Sequence, residues 1–153
     1  MPTVETSVLI SAPLETVYAI AKDTARYPEY MREVQSIAIT EQEALPSGQR
    51  VVADWVGVIP QFGLKVRWTQ EDTWDDATHS SRFRQLKGDY DHMAGTWRFA
   101  EEAGGTRFDQ SLEYEYNVPT LGPLVKRVIL AVVTKNLEAI NEAFARQAAQ
   151  SSN

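Results

Sequence analysis

The sequence has no cysteine and only two histidines among 153 residues. The first absence excludes disulfide staples and thiolate zinc sites. His79 and His92 stand far apart, outside any metal-ligand spacing, so no metal site is expected. Long apolar runs are also missing. The longest, "VILAVV" at 128–133, is much shorter than the ~20 residues a helix needs to cross a bilayer, so no stable membrane insertion is expected. The opening "MPTVETSVLI" lacks the basic and apolar regions of a signal peptide. Together with the missing cysteines, this points to a reducing cytoplasmic setting. Basic charge is scarce: 15 Lys and Arg stand against 21 Asp and Glu, a net charge of -6. That balance argues against a nucleic-acid partner, which requires a basic footprint, and against docking on anionic lipid. No phosphate-binding loop, dinucleotide fingerprint or Gly-x-Ser-x-Gly occurs, so no cofactor is expected. "WDDA" and "GDYDH" lack the twelve-residue calcium pattern and read as turns. No repeat or linker divides the chain, which is expected to form one domain over 1–153 with a frayed end from about 148.

What is present is alternation. Val4, Thr6, Val8 and Ile10 share one face of a first strand. Ser11-Ala12-Pro13 ends it, and "LETVYAIAK" puts Leu14, Val17, Tyr18 and Ala21 on one face of a short helix. Ser11 or Ala12 is the expected cap, with Pro13 in the first turn. "DTARYPEYM" begins a second short helix, with Asp23 or Thr24 as its cap and Pro28 limiting its length. About six strands follow. Ile37 and Ile39 mark one; Val51, Ala53, Trp55 and Gly57 share a face of the next; Leu64, Val66 and Trp68 share a face of the third. Phe83 and Gln85, then Met93, Trp97 and Phe99, then Phe108, Gln110, Leu112, Tyr114 and Tyr116 continue the series, with Gly104-Gly105 as a hairpin signal.

The last segment is helical. Leu124, Val125, Val128, Ile129, Val132, Val133, Leu137, Ile140 and Phe144 form one wide apolar stripe. At ~1.5 Å per residue the helix would be roughly 35–40 Å long, enough to cross a whole sheet. Strands that are apolar on one face only must bury that face, and this helix alone is large enough to cover it. The expected fold is α+β: a curved antiparallel sheet of six or seven strands wrapped around a long C-terminal helix, with two short helices after the first strand.

Four segments carry a family resemblance: "ISAPLETVYAIAKDTARYPEYMREV", "LKGDYDHMAGTWRF", "GGTRFDQSLEYEY" and "VPTLGPLVKRVI". In this order they resemble the START-like helix-grip superfamily, which includes the polyketide cyclase/dehydrase and lipid-transport proteins and the coenzyme-Q-binding START-like proteins. The resemblance implies a helix-grip fold and a hydrophobic ligand cavity. Aromatase/cyclase members of the family use polar pocket residues, often an arginine and a tyrosine. By alternation Arg67, Arg82, Arg84 and Arg98 fall on the outer face here. The quinone-binding branch continues its Tyr-Pro motif with Pro-Trp-Cys, where this chain has "YPEYMREV".

The candidate ligand-binding residues are Trp55, Trp68, Phe83, Gln85, Trp97, Gln110, Tyr114, Val132 and Asn136. The tryptophans and tyrosines need partners for their polar atoms when buried, which a partly wet cavity supplies. Asn136 interrupts the helix stripe, and Gln85 and Gln110 interrupt apolar strand faces. Each is either satisfied locally or aimed at a ligand, because an unpaired buried polar group costs about 1–3 kcal/mol. Tyr27, Tyr30 and Met31 are expected at the cavity mouth, as a fixed plug or a movable lid. Three functions remain open. One is binding of a hydrophobic lipid, quinone or aromatic polyketide-like molecule. Another is cyclisation or dehydration of a poly-β-keto chain, with Tyr114, Tyr30 or an Asp or Glu near the mouth moving protons. The third is an interaction module for a macromolecule. Alternation places no ionisable pair on the inner faces, so the catalytic residues are left unassigned. The expected assembly is a monomer or weak dimer.

Overall fold

The computed structural model describes residues 2–59, 63–116 and 122–151, and the side chains of 122–125 are outside that description. Leu124 and Val125 of the expected stripe therefore lie outside the described side chains. Seven strands form one antiparallel sheet in the order β1-β7-β6-β5-β4-β3-β2. They are β1 (Thr3–Ile10), β2 (Val34–Leu45), β3 (Gly48–Ile59), β4 (Leu64–Asp75), β5 (Ser80–Gly88), β6 (His92–Glu102) and β7 (Gly105–Glu115). Consecutive strands from β2 to β7 pair as hairpins, the cheapest antiparallel connection. β1 pairs instead with β7, residue for residue from Thr3↔Glu113 to Ile10↔Thr106. The first two strands thus lie on opposite edges of the sheet. The chain between them has to cross from one edge to the other, and it does so as α1 (Leu14–Lys22), a 3-10 turn (Thr24–Arg26) and α2 (Tyr27–Tyr30).

The capping expectations change in detail. Pro13 itself holds the cap position of α1 and Asp23 that of the 3-10 turn, as expected for the second segment, but no side-chain hydrogen bond caps either of them or α2. The carbonyl of Pro13 accepts from the Val17 amide at 3.1 Å. Pro28 sits inside the first turn of α2 instead of ending it. A proline costs nothing there, because the first-turn amides have no intrahelical acceptor. Tyr27 closes the turn by donating its hydroxyl to the carbonyl of Ala21.

The long helix α3 (Gly122–Ser151) covers the concave face and packs on α1 and β1. Thirty residues span roughly 45 Å. Ile129, Val132, Val133, Leu137 and Phe144 are buried as the stripe requires, whereas Val128 is 40 % exposed at the stripe's margin. The helix runs on past the expected fraying point to Ser151, and Ala148 is buried. This is the helix-grip arrangement. Its densest part is an aromatic knot: Trp97 meets Phe108 and Phe144 edge to face, each with ring centroids 5.5 Å apart, while Phe99 stacks on Phe108 at 4.7 Å. No helix among the described residues is long and apolar enough to cross a membrane.

Candidate functional site

Away from this knot, α3 and the sheet do not fill the space between them. A cavity of about 140 Å³ remains, close to the ~150 Å³ of an apolar cavity that takes up benzene. Its walls come from nearly every element: Trp55 and Gly57 of β3, Val66, Trp68 and Gln70 of β4, Phe83 of β5, Met93 and Trp97 of β6, Gln110 and Leu112 of β7, and Asn136, Leu137 and Ile140 of α3. Glu33, Val34, Val58 and Ile59 line it too and are partly exposed.

Two glycines shape the walls. A side chain at Gly57 would press on the Trp68 indole, which would lie 3.1 Å from the new Cβ. The indole therefore lies flat against the strand and stacks on Trp55, its cross-strand partner, at 5.6 Å and 20°. At Gly95 a Cβ would come within 2.5 Å of the Phe83 ring and 2.3 Å of the Ser111 carbonyl, so only glycine lets Phe83 lie over β6. The result is a flat, aromatic-walled slot.

Most of the candidate ligand-binding residues meet at this slot. Trp55, Trp68, Phe83, Trp97, Gln110 and Asn136 line the cavity; Val132 is buried outside it. Gln85 and Tyr114 are not in its walls. Gln85 shares the inward face of Phe83, but its amide is taken by the backbone of Tyr90: Nε2 donates to the Tyr90 carbonyl at 2.8 Å and Oε1 accepts from its amide at 3.2 Å. This clamp fixes the turn after β5 and turns Tyr90 itself into the wall. Tyr114 faces inward farther along β7, in a second apolar cluster with Val4, Ile129, Val133 and Leu137. At the expected mouth, Tyr27 and Met31 do line the cavity, as buried wall at 1 % and 4 % exposure, and the Met31 carbonyl accepts from the amide of Val34. Tyr30 lies behind Tyr27, ring edge to ring face, with a buried hydroxyl that has no protein partner among the described residues.

Gln110 joins sheet to helix. Its Nε2 donates to the Leu137 carbonyl at 2.9 Å and to Asn141 Oδ1 at 2.8 Å, and Asn141 donates to Thr6 at 3.3 Å. Its Oε1 stays buried without a protein partner among the described residues. The sequence pattern does not mark Asn141, although it stands one turn beyond Leu137 on the same helix face.

The main correction concerns β4. Its inward parity continues from Val66 and Trp68 through Gln70, Asp72 and Trp74, all buried except the half-buried Trp68. Trp68 Nε1 donates to Gln70 Oε1 at 2.9 Å, and Gln70 Nε2 donates to Asp72 Oδ1 at 2.7 Å. An ionisable group therefore does lie inside, paired with an amide instead of a second ionisable group. Burial pushes the Asp72 carboxyl up to about 7, against the smaller opposing effect of the Gln70 hydrogen bond. Beside it lies a second cavity of about 10 Å³, lined by Asp72, Trp74, Ser81 and Thr24 and sharing Tyr27, Trp55, Gln70, Phe83 and Trp97 with the larger one.

Comparison with known proteins agrees with this fold. Residues 10–141 match the family described as polyketide cyclase/dehydrase and lipid transport. A Streptomyces cyaneus protein assigned provisionally as a polyketide cyclase is 27% identical over 112 residues, covering 72% of this chain and 70% of that protein. The crystal structure of TTHA0849 from Thermus thermophilus superposes with a TM-score of 0.90 and 34% identity, covering 99% of this chain and 100% of that one. The Zhui aromatase/cyclase of Streptomyces sp. R1128 shares the fold at a TM-score of 0.87 and 22% identity, over 99% of this chain and 96% of that one.

Proposed function

Because the chain belongs to the polyketide cyclase/dehydrase and lipid-transport family, we propose that it binds a flat, hydrophobic, ring-containing small molecule between the sheet and α3. The observation that carries this reading is the slot itself: stacked Trp55 and Trp68 on one wall, Phe83 and Trp97 beside them, and few polar atoms. Apolar burial of the ligand supplies the affinity, at about 25 cal/mol per Å² before ordering costs. Gln110 Oε1 and the Asn136 amide are the polar handles that orient it. Calorimetric titration with indane tests this. The expected result is saturable one-to-one binding with a negative heat-capacity change, weakened about tenfold by Trp68→Ala, a typical loss for a central aromatic. No saturable heat would contradict the reading.

A second reading, cyclisation or dehydration of a poly-β-keto chain in the same cavity, is favoured by one observation. Asp72 places a carboxyl with a near-neutral pKa beside the slot, where a proton-transfer group is most effective at neutral pH. This reading expects cyclised product from a poly-β-keto substrate with the wild type and about a hundredfold less or lower with Asp72→Asn, the typical scale of a lost proton-transfer group. Equal product from both would remove Asp72 from the chemistry.

A further inference from the structure

The small cavity next to Asp72 differs from the slot in chemistry. It measures about 10 Å³, close to the least volume that holds one water-sized group. Its polar lining is Thr24, Gln70, Asp72, Ser81 and the indoles of Trp55 and Trp74. The indole N–H of Trp74 is buried with no protein acceptor among the described residues, and Trp74 lines this cavity but not the larger one. The indole N–H of Trp55, which lines both cavities, is also buried without such an acceptor. Buried N–H groups in this state are destabilising unless something accepts from them. Gln70 occupies Asp72 Oδ1 as a donor, which leaves Oδ2 as the oxygen to carry a proton. A protonated Asp72 is then a further donor on the same cavity.

We propose that this cavity is the polar end of the binding site, and that it takes one carbonyl oxygen of the ligand, hydrogen-bonded by Asp72 and the Trp74 indole. The inference rests on the reading of the larger slot as a binding site. It names the ligand class more closely: an aromatic or alicyclic ketone, its ring between Trp68 and Phe83 and its oxygen directed past Gln70. A carbonyl oxygen accepts two hydrogen bonds and donates none, so it complements donor walls. Ionised Asp72 reverses the fit, because a carboxylate cannot donate and repels the carbonyl dipole. Ketone affinity therefore falls as pH rises through the titration of Asp72. The titratable groups around it are few. Tyr27 of α2 has its hydroxyl committed to the Ala21 carbonyl. Glu71, next along β4, points to the other face, where Arg50 and Arg84 hold it at 2.7 and 2.9 Å. The neighbouring strands contribute Val51 of β3 and Phe83 and Ser81 of β5, and the 3-10 turn contributes Thr24; none of these titrates.

The test compares 1-indanone with indane, which differ by one carbonyl, by calorimetry at pH 5.5 and pH 8.5. The wild type is expected to bind 1-indanone about tenfold or more weakly at pH 8.5, because only the protonated fraction of Asp72 is competent, while indane affinity does not change with pH. Asp72→Asn keeps a donor and loses the pH dependence; Asp72→Leu loses the preference for the ketone at pH 5.5. Indanone affinity that is flat with pH, or that changes equally in Asp72→Asn, overturns the proposal while leaving the slot intact. If neither compound binds at either pH, the reading of the slot fails and this one fails with it.

Discussion

Replacing Phe144 by alanine lowers the unfolding free energy by about 3–5 kcal/mol, the usual cost of deleting a fully buried phenylalanine. Phe144 is 0 % exposed and is the point where α3 enters the aromatic knot. Its ring touches Tyr27 at 5.7 Å, Trp97 at 5.5 Å and Phe108 at 5.4 Å, and so ties the helix to α2, β6 and β7 at once. The chain cannot readily collapse into the space, because Phe108 is itself enclosed and Trp97 is held on several sides. For a domain of this size the loss corresponds to roughly 10–15 °C in melting temperature. Urea unfolding followed by far-ultraviolet circular dichroism measures it. A loss below about 1 kcal/mol would show that α3 is not anchored through this ring.

Stability that falls as pH rises above 5 is the second expected result. Burial raises the Asp72 carboxyl to about 7, whereas in the unfolded chain it titrates in the ordinary aspartate range. Between those two values the folded state binds more protons than the unfolded one, so raising the pH favours unfolding. The contribution is largest at low pH and is lost as the pH passes through the folded value. From pH 5 to pH 8 the loss is roughly 2–3 kcal/mol. Glu71 and Asp76 do not confuse the window. Their carboxyls are held below the usual range, Glu71 by Arg50 and Arg84 and Asp76 by Lys22 and Tyr18, so their contribution is lost only as pH falls below the window. Asp72→Asn removes the titrating proton and keeps the shape, and its stability is expected to be level where the wild type declines. Parallel curves for the two proteins between pH 5 and 8 would mean that Asp72 titrates normally in the fold.

Much of the architecture was legible because a sheet with one wet face writes itself into the chain as alternation. Val4 and Ile10 of β1, Ala53 and Trp55 of β3, and Phe108 and Gln110 of β7 are all buried where parity puts them. The site was legible only in part. "TQEDTW" carries two acids and three polar residues, and by composition it resembles a solvated stretch. Extending the parity of Trp68 four residues farther would have placed Asp72 inside. Gln85 shows the opposite failure: its parity is inward, but the Tyr90 backbone captures its amide, and strand periodicity carries no trace of a turn that folds back. Tyr90 was hidden for the same reason, since "GDYDH" has the composition of a turn and only the clamp makes it wall. Tyr27 and Met31 stand out as unusual in a loop, yet their depth depends on β1 and β2 occupying opposite edges of the sheet, a long-range pairing that no local pattern encodes.

The central claim is that a flat apolar molecule enters the slot between the sheet and α3. The indole proton–nitrogen resonances of the four tryptophans, assigned by single substitutions and followed during a titration with indane, test it most directly. The account predicts saturable shifts at Trp55, Trp68 and Trp97, which line the slot, and a smaller one at Trp74, which lies behind it. Indole resonances that stay fixed while amides on the outer face of the sheet move would contradict it.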